Sequence, residues 1–147
     1  MTPTKDPDSD RAVIGIYPGT SYVFPFQVSI GIDPNIGGPS AGLMFSLAIY
    51  DTLTPGPLTG ERSVAGTGTI DADGNVGSIG GIQQKIAGAR DAGSELFLVP
   101  ADNCADAEGA PNGSMRLAKV STFEDARAAI ETFAADKNAK LPTCSGK

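Results

Sequence analysis

Gly37-Gly38-Pro39-Ser40-Ala41-Gly42-Leu43-Met44-Phe45 is the stretch from which the rest of the chain can be read. Its two leading glycines allow a tight approach from a preceding strand, and Pro39 suits the first turn of a helix, where its missing N–H costs nothing. Leu43, Met44, Phe45, Leu47, Ala48, Ile49 and Tyr50 then place apolar side chains almost all round, which predicts a buried helix from Pro39 to about Thr52. Ser40 falls at the second position of that helix. The leading N–H groups there lack intrahelical partners and the helix end is partly positive, a setting that suits an oxyanion. Serine also caps or packs its own helix start in many proteins, so position alone does not make Ser40 a nucleophile.

The chain contains no histidine. If Ser40 is a nucleophile, a Ser-His-Asp triad is excluded and another side chain must take its proton. Lys85 is the candidate. On a helix of 82–93, Ile82, Ile86 and Ala89 fall on one side and Gln83, Gln84, Arg90 and Asp91 on the other, with Lys85 at the edge of the apolar arc. A stem lying along apolar surface with its ammonium in water is the ordinary alternative. The chemistry needs an inward setting, because a free lysine with a pKa of about 10.4 is neutral in roughly one molecule in a few thousand at pH 7. Desolvation disfavours the charged form and makes a lysine a fit general base for a hydroxyl.

Outward from these two motifs, residues 12–17 and 22–32 read as strands joined by a turn, with Pro25 marking an edge or a bulge. Residues 54–60 form a loop by their prolines and glycines. Strands are expected at 63–70 and 75–79, joined by the hairpin signal Asp71-Ala-Asp-Gly-Asn75. A helix over 81–92 ends at Gly93, and Leu96-Phe-Leu-Val99 reads as a central strand. A variable loop over 101–114, a strand near 116–120 and a helix over 122–136 complete the chain. Ser121 and Glu124 stand at capping-box spacing for the last helix.

A length of 147 residues suits one core, and no apolar run approaches the roughly 20 residues of a membrane-spanning helix. With a formal charge of −6 and 11 scattered Lys and Arg residues, nucleic acid is excluded as a partner. Without histidine, and with two distant cysteines, the spacings of a zinc site are missing, so neither metal nor organic cofactor is expected. Residues 1–11 are polar and turn-rich, without the apolar stretch of a signal peptide, and read as a linker or added tail before a domain over 12–136. Residues 137–147 then form a C-terminal tail. Cys104 and Cys144 admit a disulfide or two free thiols; the tail has little apolar content of its own, which favours the bridge and an oxidising compartment.

Gly-Gly-Pro-Ser-Ala-Gly-Leu-Met at 37–44, Val-Ala-Gly-Thr-Gly-Thr-Ile at 64–70, Val-Gly-Ser-Ile-Gly-Gly-Ile-Gln-Gln-Lys at 76–85 and Leu-Phe-Leu-Val-Pro-Ala-Asp-Asn at 96–103 together resemble the proteolytic domain of Lon proteases. The resemblance implies an α+β fold with small mixed sheets and about three main helices. It implies a serine endopeptidase with Ser40 as nucleophile and Lys85 as base, Thr67 orienting Lys85, and the backbone of Gly38, Pro39 and Ala41 shaping the nucleophile's surroundings. Unfolded or extended polypeptide is the implied substrate, and rings of subunits the implied assembly. Energy-dependent members of that family usually carry an acidic residue three before the serine and a glutamate two after the threonine, where this chain has Gly37 and Thr69. There is also no Gly-x-x-x-x-Gly-Lys-Ser/Thr phosphate loop in the chain. The wording is similar to the ATP-independent bacterial branch, in which a membrane anchor and a PDZ module precede a protease domain outside the cytoplasm. A non-catalytic module that holds extended peptide on a strand edge is the alternative.

Overall fold

The computed structural model describes residues 4–5, 11–13, 19, 22–32 and 38–144. Its centre is a three-stranded parallel sheet in the order β3-β6-β7, made of Val64–Gly66, Leu96–Pro100 and Arg116–Val120. β6, expected from its apolar run, lies in the middle and is buried at every residue. Its alternating side chains feed two cores. Leu96 and Leu98 enter one with Leu43 and Leu47 of α1 (Gly42–Leu53) and with Ala126, Ala129, Ile130 and Phe133 of α4 (Phe123–Ala135). Phe97 and Val99 enter the other with Ile82 and Ile86 of α2 (Ile82–Asp91) and Ala107 of α3 (Cys104–Ala107). Helices therefore cover both faces of the sheet, as a strand with no polar face requires. Burying such side chains stabilises the fold by about 1.5–3 kcal/mol each. Three of the four helices have ten or more residues, so the α+β class with small parallel and antiparallel sheets and three main helices is what the structure has.

The run expected to be one strand over 63–70 is two. β3 stops at Gly66, and Thr69–Ile70 (β4) pairs antiparallel with Val76–Gly77 (β5) in a separate hairpin. Thr67 N–H still donates to Leu98 O of β6 at 3.4 Å, but the Thr67 hydroxyl and the Gly68 N–H turn toward Ser40, and the ladder ends there. The hairpin turn follows the expected signal: Asp71 Oδ1 accepts from the N–H groups of Asp73 and Asn75 at 2.9 and 2.8 Å, and Gly74 has φ +83°.

Several expectations are corrected. Residues 22–32 form no strand; all are exposed, although Tyr22, Phe24, Phe26, Val28, Ile30 and Ile32 alternate as a strand would. Pro25 lacks a donor, and the run meets the outer face of α1 instead of a sheet edge. The strand expected at 12–17 is described only as Ala12–Val13 (β2), paired antiparallel with Thr4–Lys5 (β1), so the expected linker contributes a strand; residues 14–17 lie outside the described residues. α1 is not buried all round: Leu43 and Leu47 point inward, whereas Ala48 and Leu53 are exposed. Residues 101–114 are not simply a loop, since they contain a 3-10 turn, Ala101–Asn103, and α3. The capping box of α4 is one residue later than expected. Thr122 Oγ1 accepts from Asp125 N–H at 3.1 Å, and Asp125 Oδ2 accepts from Thr122 N–H at 3.2 Å, because Phe123 must start the helix that buries Ala126 and Ile130.

The tail docks through Leu141, which is buried in the first core, and Lys119 N–H of β7 donates to Pro142 O at 2.9 Å. Cys104 and Cys144 form a disulfide. Among the described residues no helix is long and apolar enough to cross a membrane.

Candidate active site

Ser40 is the middle residue of a 3-10 turn, Pro39–Ala41, that runs into α1. Gly38 precedes it at φ +93°, a conformation that only glycine adopts cheaply, and Pro39 occupies the first position with no N–H to leave unpaired. Gly42 N–H donates to Pro39 O, closing the turn, so the amides of Ser40 and Ala41 precede the first bonded donor. Gly37 lies outside the described residues. Thr69, the other departure from the energy-dependent pattern, pairs with Gly77 in the hairpin.

The turn is gripped where β3 ends. Gly68 N–H and the Thr67 hydroxyl both donate to the Ser40 carbonyl at 2.8 Å, and Leu43 N–H donates back to Gly68 O at 3.1 Å. Thr67 is therefore not bonded as expected: its hydroxyl fixes the backbone of Ser40 and not the amine of Lys85. The reason is geometric, since Thr67 is buried beneath the serine turn. Gly68 is required by space, because a Cβ there would lie 2.7 Å from Val76 Cγ1 and 3.4 Å from Leu43 Cβ.

Lys85 reaches the same place from the other face of the sheet. Gly81, left-handed at φ +69°, starts α2, and Lys85 N–H donates to Gly81 O at 3.1 Å in its first turn. Ile82 and Ile86 are buried, Gln83 and Gln84 exposed, and Lys85 half-buried between them, as its position at the edge of the apolar arc implies. Its Nζ donates to Ser40 Oγ at 3.4 Å across 45 positions of sequence. Among the described residues no carboxylate pairs with this amine; the ion pairs are Arg62–Glu95, Arg90–Asp91 and Arg127 with Glu124 and Glu131. Ser40 and Lys85 are both partly accessible. The site lies beyond the carboxyl ends of the parallel strands β3 and β6, where α/β sheets commonly bind their ligands.

One contributor escapes a reading of the sequence alone: Gly68 is indistinguishable there from the many other glycines.

A family model described as the Lon protease (S16) C-terminal proteolytic domain matches residues 27–132. Lon protease 2 of Herpetosiphon aurantiacus is 41% identical over 87 residues, covering 59% of this chain and 10% of the relative. Lon protease 1 of Sorangium cellulosum is 38% identical over 94 residues, or 62% and 11% of the two chains. The Lon protease of Chloroflexus aggregans is 31% identical over 125 residues, or 71% and 15%. The chain thus spans a small part of the length of these curated relatives.

Proposed function

The chain belongs to the Lon protease (S16) C-terminal proteolytic domain family, and from that premise we propose that it is a serine endopeptidase whose dyad is Ser40 and Lys85. The observation that carries the reading is the 3.4 Å approach of Lys85 Nζ to Ser40 Oγ, with no carboxylate competing for the amine among the described residues. That separation is slightly long for proton transfer, and catalytic hydrogen bonds commonly tighten once substrate is bound.

The amine of Lys85 takes the hydroxyl proton as Ser40 Oγ bonds to the carbonyl carbon of an extended peptide. Negative charge collects on the former carbonyl oxygen, and the backbone N–H groups at the start of the serine turn stabilise it. Collapse breaks the C–N bond, and the ammonium of Lys85 returns its proton to the departing amine. Water, deprotonated by the same lysine, then opens the acyl ester and restores Ser40. Thr67 and Gly68 hold the serine backbone so that this geometry is set before substrate arrives. The hydrolytic steps themselves consume no nucleotide, and cleavage without ATP is part of the same proposal.

The Cys104–Cys144 bridge supports work in an oxidising compartment outside the cytoplasm. Membrane tethering beside a PDZ module and assembly into rings belong to the same proposal.

A serine-reactive phosphonate tests the chemistry. Wild type labels without ATP, whereas Ser40→Ala does not. Lys85→Arg falls by about 10³-fold or more, because a guanidinium cannot accept the proton. Labelling that survives Lys85→Arg removes lysine from the mechanism, and absence of labelling in wild type from pH 6 to 10 favours a peptide-binding module without hydrolysis.

A further inference from the structure

Among the described residues two polar side chains are buried, Thr67 and Asn103, at 3% and 2% exposure. Thr67 is accounted for by the Ser40 carbonyl. Asn103 lies three residues past the carboxyl end of the neighbouring strand β6, in the 3-10 turn Ala101–Asn103. Its side chain makes two hydrogen bonds to one residue of another segment. Oδ1 accepts from Ile79 N–H at 2.9 Å, and Nδ2 donates to Ile79 O at 2.9 Å. An amide side chain here pairs with main chain as a further strand would, matching both a donor and an acceptor.

Ile79 is separated from α2 only by Gly80 and Gly81, and α2 has no side-chain cap at its start. Two glycines do not by themselves fix the direction of the helix that follows them, because their backbone is permissive. Direction must come from both sides of the link. Ile82 and Ile86 pack on one side; Asn103 holds Ile79 on the other. Lys85 lies in the first turn beyond this link, so a small change in entry angle is carried directly to its amine. Cys104 follows Asn103 and is bridged to Cys144, which anchors the turn that carries the clamp.

We propose that Asn103 is a positioning residue for the dyad: by holding both main-chain groups of Ile79 it sets the entry of α2 and thereby the reach of Lys85 Nζ to Ser40 Oγ. This rests on the dyad reading above. It parallels Thr67, so that each reacting side chain is aligned by one buried polar group beyond the carboxyl end of a strand of the parallel sheet.

The test uses the full chain with Asn103→Leu, which removes both bonds at similar size, and Asn103→Asp, which keeps only the acceptor. Phosphonate labelling is followed for its rate and its final extent. A misaligned base lowers the rate about tenfold or more in Asn103→Leu and less in Asn103→Asp, while nearly every molecule still labels in time. For peptide cleavage the loss falls on kcat with KM little changed. A residue that only supports the fold gives the reverse: fewer molecules label, at the wild-type rate, and that result overturns the proposal. Failure of both variants to fold overturns it too. Slow hydrogen exchange of the Ile79 amide in wild type, beside a fast Gly80, supports the clamp; equal rates refute it. Absence of labelling in wild type would sink the dyad reading instead, a result distinguishable from these because the Ile79 amide still reports the clamp.

Discussion

Leu96–Pro100 and residues 22–32 are both apolar runs, yet every residue of the first is buried and every described residue of the second is exposed. The difference lies in their neighbours. β6 has β3 on one edge and β7 on the other, and helices above and below receive its alternate side chains. Residues 22–32 have a period-2 apolar pattern, and residues 26–31 of that run share a groove with Phe45, Ala48, Ile49, Thr52 and Leu53 on the outer side of α1. Their rings mainly meet each other, Tyr22 against Phe24 at 6.3 Å and Phe24 against Phe26 at 6.4 Å. Apolar composition offers a driving force; a partner surface decides whether it is realised.

The sharpest way to break this contrast is to remove methyl groups from each run. Leu98→Ala leaves a cavity between α1 and α4 and should lower stability by about 2–5 kcal/mol. Val28→Ala, at 49% exposure, should change it by no more than about 0.5 kcal/mol. Urea unfolding of the two variants measures both. Similar losses would mean that residues 22–32 pack in solution as a true strand.

The C-terminal tail is the informative intermediate between the two. Like residues 22–32 it runs beside a larger element, but it contributes Leu141 to the core, a hydrogen bond to Lys119 and a covalent tie. The bridge spans 40 positions, and closing a loop of that size restricts the unfolded chain. Cys144→Ser should therefore lower stability by about 2–4 kcal/mol and speed exchange of the Lys119 amide. Unchanged protection of Lys119 would show that Leu141 alone orders the tail, making the bridge incidental to its docking.

Local signals were legible in the sequence wherever one segment carried its own instruction. The Ile82–Ile86 spacing and Gly93 mark α2, the Leu96–Val99 run marks β6, and Asp71–Asn75 marks the hairpin. Instructions that depend on a distant partner were not. The break at Thr67–Gly68 exists because the Ser40 turn lies over it, and no propensity records that. α3 is four residues long, too short for a periodicity to emerge from the loop around it. Ser121-Thr122 and Glu124-Asp125 offer two overlapping caps, and only the burial of Ala126, Ala129 and Ile130 selects the second. As for the site, the nearness of Ser40 and Lys85 is a product of the sheet between them; in the sequence it is reached through family resemblance and not through spacing. The amide of Asn103 had no signal beyond its place in a motif.

The hairpin turn gives the smallest expected effect and the opposite extreme from β6, since it is held by charge at the surface and not by burial. The Asp71 carboxylate accepts from the Asn75 side chain at 2.9 Å and from the Asn75 and Asp73 amides, and these bonds, that of the Asn75 side chain foremost, hold its pKa below the usual aspartate value. A carboxyl whose pKa is lower folded than unfolded stabilises the fold above the unfolded value, about 3.9, and that contribution disappears as pH falls through the folded value. Asp71→Asn keeps the shape and most acceptors but loses the charge. Its thermal midpoint should lie slightly below wild type at pH 7, and the gap should close as pH falls through the lowered folded value, because wild type then carries a neutral carboxyl as well. A gap that persists at low pH would assign the turn's stability to side-chain shape, and the hairpin would then resemble the buried strand more than its exposure suggests.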